Sequence, residues 1–161
     1  MTRKHLVAAA ATVCAAMGIG GTVVATTAAA APTPASAGTT IVFTAHAISD
    51  RSFNLAPGHG FVVGSVELAA SRLMHGGKQV GHDDESYTVT RLSGGSADQM
   101  VAAVEVLAHG QIDLSGVVTS TPSGPGTFQL AVTGGTGSYS GARGYAIVVP
   151  NDAPTFTIHL K

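Results

Sequence analysis

The sequence predicts an all-β protein in which residues 38–161 form a closed eight-stranded antiparallel β-barrel. Short segments rich in β-branched and aromatic residues recur along this region, and turns containing glycine or proline separate them, as in sandwiches and barrels. The region contains no cysteine, which favours a fold without exposed strand edges. Its length, about 124 residues, suffices for one domain with a core but not for two. An eight-stranded barrel has room inside for side chains or one small ligand.

Nine segments have strand character, and we expect them to form about eight strands. Their β-branched and aromatic residues, and in places their alternation of polar and apolar positions, favour strands. Residues 100–107 are apolar enough for a helix, but their valines favour a buried strand. Residues 69–74 are interpreted as a strand end followed by a turn, and the composition of residues 75–78 predicts a turn. In order, the nine segments are residues 39–44, 50–55, 60–68, 87–92, 100–107, 112–117, 128–132, 144–149 and 155–160.

Residues 1–37 are expected to be a cleaved secretory signal peptide. Arg3 and Lys4 precede an alanine-rich apolar run without acidic residues, and residues 35–37 are small, as a signal peptidase requires. The alternative is a membrane anchor, because the run approaches the roughly 20 residues that span a bilayer. The glycines, the threonines and the cleavage-like end favour removal, with the cut near residue 37 or near Ala30. The mature protein is then secreted and has no membrane partner.

Charge and glycine pattern exclude two classes of ligand. Loss of the signal peptide leaves six basic and nine acidic side chains, a formal charge of −3. A general nucleic-acid binder needs a basic face, so we expect no nucleic-acid partner. The glycines of residues 134–141 follow an apolar strand, as in a dinucleotide-binding loop, but such a loop must begin a helix. Residues 142–149 have the composition of a strand, so the glycines are interpreted as a turn between two antiparallel strands.

This glycine-rich turn carries a family resemblance. Residues 134–137, Gly-Gly-Thr-Gly, and residues 142–146, Ala-Arg-Gly-Tyr-Ala, resemble the C-terminal signature of dirigent proteins and of bacterial allene oxide cyclase-like barrels. The similarity extends over about residues 60–149. It implies the same calycin-like barrel, a lumen that binds a small hydrophobic or phenolic molecule, no cofactor, and a dimer or trimer.

Arg143 and Tyr145 are candidate site residues within this signature. They are two positions apart and therefore point to the same side of a strand. A cation and a phenol at a pocket mouth orient an oxygen-rich substrate, and the resemblance places Arg143 at the lumen site. In the alternative interpretation, Arg143 pairs with a carboxylate to close the barrel and Tyr145 packs outside.

Tyr87, Glu67 and Glu105 are the other candidates. The resemblance gives Tyr87 the place of a site tyrosine, which hydrogen-bonds a ligand or protonates an intermediate, although a half-buried structural tyrosine is equally consistent with the sequence. Glu67 and Glu105 stand in apolar segments, where a carboxylate must be paired, hydrated or shifted in pKa, and either is a candidate general acid or base. The more ordinary interpretation is a solvent-facing charge or a partner for an arginine, namely Arg72, Arg91 or Arg143.

Two further observations concern acidic residues. Dirigent proteins carry adjacent aspartates before a leucine where this sequence has Ser71 and Arg72, so acid catalysis by those aspartates is expected to be absent. Glu67 then substitutes for them, or the protein binds without catalysis. Residues 82–85, His-Asp-Asp-Glu, offer metal ligands in principle, but they lack a calcium-loop spacing and are interpreted as a solvated turn. No metal site is expected.

The sequence therefore predicts a secreted barrel that binds a small hydrophobic or phenolic molecule and, if it is an enzyme, guides its cyclisation or stereoselective coupling without a cofactor. Positioning of the bound molecule would account for most of such an activity. The alternative is a non-catalytic secreted carrier or protein-interaction module on the same barrel.

Overall fold

The computed structural model describes residues 38–53 and 61–161, and these residues form an all-β barrel. The expected signal peptide, residues 1–37, lies outside the described residues. Within them, the only helix is a single 3-10 turn, and no helix is long and apolar enough to cross a membrane. The strands are β1 (Thr40–Phe53), β2 (Val66–His75), β3 (Lys78–Ser93), β4 (Ser96–Leu107), β5 (Gly110–Thr121), β6 (Gly124–Pro125), β7 (Phe128–Gly135), β8 (Gly144–Val149) and β9 (Thr155–Leu160).

The predicted closed eight-stranded antiparallel barrel is confirmed. The strands are hydrogen-bonded in the order β4-β3-β2-β1-β9-β8-β7-β5, and the pairing of β4 with β5 closes the ring. The two-residue strand β6 pairs only with the end of β5 and is not one of the eight strands of the barrel. Closure gives each of these eight strands a hydrogen-bonded neighbour on both sides, so no strand forms an open edge of the sheet.

Four strand assignments differ from the sequence prediction. Residues 61–65, which are predicted to lie in a strand, precede β2 and are not part of it. Residues 40–44 and 50–53, from two separate predicted segments, belong to one strand, β1, whose pairing with β2 shifts between Ala47 and Ser49 at a β-bulge. Residues 69–74 are a continuous part of β2 rather than a strand end and turn. β3 begins at Lys78, nine residues before the predicted start. Its first half is rich in polar residues because these line the interior or the solvent face of a strand, not because they form a turn.

Aliphatic and aromatic side chains fill one side of the barrel interior. Phe43 of β1 stacks on Phe156 of β9 with ring centroids 5.5 Å apart. The remaining buried apolar residues of this side come mainly from β5, β7, β8 and β9 at alternate positions, as the period of two in a strand requires. They are Ile112, Leu114, Val118, Leu130, Val132, Ala146, Val148, Ile158 and Leu160.

The glycine-rich segment is a tight connection between β7 and β8, which are antiparallel, as predicted. A 3-10 turn, Gly137–Tyr139, lies at its centre. Gly144 has a φ of +145°, and a Cβ there would collide with the carbonyl oxygen of His159 on β9. Glycine is therefore required where β8 begins, because only it adopts this conformation and permits the close approach of the neighbouring strand.

Candidate functional site

The inner face of β3 carries a row of ionisable side chains. Asp83, Glu85 and Tyr87 occupy alternate positions and are followed on the same face by the buried Val89. Successive side chains of a strand point to opposite faces, so these groups point into the barrel, while His82 and the other intervening residues point outward. A continuous strand from Lys78 therefore places two carboxyls and a phenol in the lumen.

The two neighbouring strands add two more carboxyls to this row. Glu105 on β4 lies directly opposite Asp83, and Glu67 on β2 lies directly opposite Tyr87. Side chains that face each other across a sheet are about 5 Å apart at their Cβ atoms. The five residues Glu67, Asp83, Glu85, Tyr87 and Glu105 are called the acid cluster below.

Hydrogen bonds connect part of the acid cluster. The Tyr87 hydroxyl donates to Oε2 of Glu85 over 2.6 Å. The Asp83 carboxyl interacts with that of Glu85, its neighbour on the inner face of β3, and this interaction contributes to the raised pKa of Asp83. Asp83 Oδ1 and both carboxyl oxygens of Glu105 have no hydrogen-bond partner among the described residues. Buried oxygens of this kind cost free energy unless a ligand or solvent satisfies them.

Burial decreases along the acid cluster, and the pKa shifts follow it. Asp83 and Glu105 are 1% and 0% exposed, whereas Glu85, Tyr87 and Glu67 are half-buried. Burial, reinforced by the neighbouring carboxyls, raises the pKa of Asp83 and of Glu105 far above the usual carboxyl range. Burial raises the pKa of Glu67 less, to about 6, with further contributions from Asp50 and Glu85. Asp83 therefore stays protonated at neutral pH, Glu105 holds its proton more tightly than an ordinary carboxyl, and Glu67 titrates at about pH 6.

Basic residues do not neutralise this cluster. All six lysines and arginines of the described residues are exposed. Arg91 pairs with Asp98 at 2.6 Å, and Arg143 donates to the carbonyl oxygen of Ala142. The interpretation in which Glu67 or Glu105 pairs with Arg72, Arg91 or Arg143 is therefore wrong. Asp83 and Glu105 instead hold their protons more tightly, which is the usual response of carboxyls buried without a cation.

Glu67 lies at the end of the barrel where β1 ends and β2 begins. It is the second residue of β2 and lies opposite Ser52, the penultimate residue of β1. The β-bulge of β1 turns Asp50 to the same face, because Asp50 lies opposite Ala69, which shares the inner face with Glu67. Burial raises the pKa of Asp50 as well. The acid cluster thus extends from this end of the barrel to the fully buried Asp83 and Glu105.

The structure places Arg143 and Tyr145 apart from the acid cluster. Arg143 is exposed. Tyr145 alternates with the buried Ala146 and lies on the outer face of β8, where its ring packs on His159 with centroids 4.7 Å apart. Of the candidates from the sequence, the barrel therefore brings together Glu67, Tyr87 and Glu105, and does not bring the two signature residues to them.

The interpretation of residues 82–85 as a solvated turn is wrong. They lie inside β3, with Asp83 buried in the lumen and Asp84 exposed on the outer face. Sequence reasoning missed Asp83, Glu85 and Asp50. The alternation of Asp83, Glu85, Tyr87 and Val89 was a signal for the first two, whereas Asp50 faces inward only because of the bulge. Asp83 lies directly opposite Ser71, so β3 supplies a carboxyl beside the β2 position where the family resemblance expects one.

The chemistry available to the acid cluster is that of protonated and ionised carboxyls. In the parts of the chain that the structure describes, no group of three histidine, cysteine, aspartate or glutamate side chains is arranged to hold a metal ion. A protonated carboxyl donates one hydrogen bond and transfers a proton, and an ionised carboxyl accepts hydrogen bonds from a cation. The cluster can therefore act as an acid, as a base once deprotonated, or as an anchor for a positively charged group.

Comparisons with known proteins identify the fold. No family model and no curated protein match the sequence. Among solved structures, a pyocyanin demethylase has 21% identity and a TM-score of 0.67 over 76% of this chain and 100% of that protein. A pterocarpan synthase dirigent protein has 18% identity and a TM-score of 0.59 over 76% and 88%. The Diels-Alderase AbmU from Streptomyces koyangensis has 17% identity and a TM-score of 0.61 over 77% and 69%. The resemblance to dirigent and cyclase barrels is confirmed for the fold.

Proposed function

We propose that this protein is a secreted, cofactor-free barrel that binds a small hydrophobic molecule in its lumen and guides its cyclisation or coupling by acid–base chemistry. The observation that carries the proposal is the acid cluster, because four carboxyls and a tyrosine share one lumen without a basic partner among the described residues. Such a cluster destabilises the fold, so its presence indicates a use for it.

Glu67 is the residue that we propose as the proton donor or acceptor. A general acid or base works best when its pKa lies near the operating pH, and the pKa of Glu67 is raised to about 6. Burial raises the pKa values of Asp83 and Glu105 more strongly, which makes them a poorer match to this requirement. Glu67 also lies at the end of the barrel, where it can exchange protons with solvent between turnovers.

Tyr87 and Glu85 are proposed to position the ligand. Their hydrogen bond of 2.6 Å fixes the phenol between Glu85 and the side chain of Glu67 on the facing strand. A phenol held in this way presents its ring and its oxygen to a ligand in a defined orientation, which lowers the entropic cost of reaching a reactive geometry. Burial, together with the nearby Glu85, raises the pKa of Tyr87 above its usual value, so the phenol stays protonated.

The similar folds support the class of activity in general terms. Those proteins are described as a demethylase, a pterocarpan synthase dirigent protein and a Diels-Alderase. By analogy, we propose that positioning within the lumen accounts for most of the activity here too. Arg143 and Tyr145 stay predictions as functional residues, and the proposed lumen chemistry does not require them. Secretion and self-association likewise stay predictions from the sequence.

Native mass spectrometry of the mature protein, purified from the culture medium of its own host, tests this proposal. We expect a retained small molecule in the wild type and in Asp84→Asn, whose altered side chain is on the outer face, and loss of that molecule in Asp83→Asn. The molecule is then released and incubated with wild type and with Glu67→Gln. Conversion by the wild type alone supports catalysis. Retention without conversion indicates a carrier, and an empty wild-type protein contradicts lumen binding.

A further inference from the structure

We infer that the lumen ligand carries a positive charge, as a small apolar amine does, and that its ammonium group replaces a proton between Asp83 and Glu105. The inference rests on the proposed lumen function and adds the chemical class of the ligand. Asp83 and Glu105 face each other across β3 and β4 and are 1% and 0% exposed. They are the most deeply buried members of the acid cluster.

Hydrogen-bonding capacity points to a donor-rich ligand. Asp83 Oδ1 and the two oxygens of Glu105 lack hydrogen-bond partners among the described residues. A primary ammonium group has three N–H donors and no acceptor. It therefore matches the three unpartnered oxygens, whereas a neutral hydroxyl supplies one donor. Charge-assisted hydrogen bonds of this kind are roughly twice as strong as neutral ones.

The electrostatic surroundings of the pair favour a cation. The charged groups that act on Asp83 and Glu105 are Glu85, beside Asp83 on the inner face of β3, and Asp84 on its outer face. The residues opposite the pair on β2 and β5, Ser71 and Ile112, do not titrate. Every ionisable group near the pair is thus an acid. Burial contributes most to the retention of a proton there, and the neighbouring carboxyls add an electrostatic attraction that an organic cation would share.

The exchange conserves charge within the lumen. One carboxyl O–H bond of the pair breaks and its proton passes to the solvent buffer, while the ammonium forms N–H···O hydrogen bonds to the resulting carboxylate. Aliphatic residues such as Leu114 and Val101 on the adjoining inner faces suit the apolar body of the ligand. A small inorganic cation such as Ca²⁺ is a poorer fit, because it requires six to eight oxygen ligands.

Isothermal titration calorimetry with 2-phenylethylamine and 2-phenylethanol tests the inference. The two probes share their shape and differ in charge, since the amine has a pKa of about 10, like a lysine side chain. If one proton leaves on binding, the association constant of the amine rises by about tenfold per pH unit between about pH 6 and pH 8. Heats measured in two buffers of different ionisation enthalpy should report one released proton. Protein freed of any host-derived ligand is used throughout.

Two variants assign the effect to the pair. Glu105→Gln keeps the shape of the side chain and is expected to weaken amine binding at least tenfold, with a melting curve that verifies its fold. Asp152→Asn changes the charge of an exposed residue between β8 and β9 and should bind as the wild type does.

Any one of four results would overturn the inference. The alcohol binds as tightly as the amine; amine binding weakens as pH rises, as for a ligand that accepts a proton; or neither probe binds. Amine binding that is unchanged in Glu105→Gln also contradicts it, because the amine then lies elsewhere. None of these results disproves the proposed function, which native mass spectrometry with the host's own molecule decides separately.

Discussion

The inner faces of β5, β7, β8 and β9 carry aliphatic and aromatic side chains, whereas those of β2, β3 and β4 carry the acid cluster. The side of the barrel formed by β5, β7, β8 and β9, called the apolar half below, gains stability from the side chains that it buries, at about 25 cal/mol per Å² of apolar surface. The side formed by β2, β3 and β4, called the acidic half below, buries carboxyls, and these carboxyls contribute none of this stabilisation. The comparison shows one side of a barrel supporting a costly site on the other.

The two halves also differ in whether their buried atoms need hydrogen-bond partners and have them. Buried residues of the apolar half, such as Ile158 and Leu130, need no hydrogen-bond partner and pack in a continuous cluster. In the acidic half, Asp83 and Glu105 retain unpartnered oxygens. Because folding stability in most domains is only about 5–15 kcal/mol, both kinds of change should be measurable. Removal of a buried apolar side chain should lower the free energy of unfolding, and replacement of an unpartnered buried carboxyl by an apolar side chain should raise it.

The largest expected effect is in the apolar half. Ile158 is 0% exposed. Ile158→Ala should lower the free energy of unfolding by about 2–5 kcal/mol, because apolar burial is lost and a cavity is left. Thr157→Ala, on the outer face of β9, is the matched control and should cost less than about 1 kcal/mol. Urea denaturation followed by circular dichroism measures both. Equal losses would contradict the assignment of the two faces.

The opposite sign is expected in the acidic half. Glu105→Leu replaces a buried carboxyl that has no partner among the described residues. It should raise the free energy of unfolding by about 1–3 kcal/mol, while abolishing any function of the lumen. The same denaturation experiment tests this, and a marked loss of stability would mean that Glu105 has a partner that stabilises it.

The pH dependence of stability should reflect the acidic half. A raised carboxyl pKa means that the folded protein binds the proton more tightly than the unfolded chain, so stability declines as pH rises through that range. For Glu67 the decline extends from pH 4.5 to about 6, and the raised pKa values of Asp83 and Glu105 continue it at higher pH. Urea midpoints measured from acid to neutral pH should fall, and Glu67→Gln should flatten the first part. A midpoint that rises over this interval would exclude the raised pKa.

A smaller effect is expected at the hydrogen bond within the acid cluster. Tyr87→Phe removes the hydroxyl that donates to Glu85 over 2.6 Å. The loss should be about 1 kcal/mol, with most of the ring's packing retained. Thermal denaturation detects it, and a change below the error of the measurement would indicate that this hydrogen bond is formed only weakly in solution.

The smallest effect is expected outside the barrel. Arg143→Ala removes an exposed side chain whose described hydrogen bond joins it to the neighbouring Ala142 carbonyl. The change in the free energy of unfolding should lie within about 0.5 kcal/mol. A retained lumen ligand should also remain bound. Release of that ligand from Arg143→Ala would instead favour the sequence-based prediction that Arg143 belongs to the site.

The barrel was predictable because its evidence is local. Alternation, β-branched residues and glycine turns report on strands one at a time, and the number of such strands suggests closure. The early part of β3 was missed because residues 82–85 have the polar composition of a turn. Composition does not distinguish a polar strand that lines a lumen from a solvated loop, since both lack the apolar positions by which strands are identified.

The site was predictable only in part, because it depends on register. Glu67 and Glu105 stand out in apolar segments, but their neighbours across the sheet, Tyr87 and Asp83, follow from strand pairing. Asp50 faces inward only because a bulge changes the alternation of β1, and nothing local in the sequence indicates that bulge. The pairing of β8 with β9 likewise sets the outward direction of Tyr145.

Carboxyl ¹³C NMR of the mature protein, labelled at its aspartate and glutamate side chains and titrated from pH 3 to pH 9, tests the central claim most directly. We expect the signals of Asp83 and Glu105, assigned with Asp83→Asn and Glu105→Gln, to remain at their protonated positions at pH 7. The signal of Asp84, assigned with Asp84→Asn, provides an exposed comparison on the same strand. If the signals of Asp83 and Glu105 titrate at the ordinary carboxyl pKa of about 4, the lumen does not hold protonated acids and the proposed chemistry is wrong.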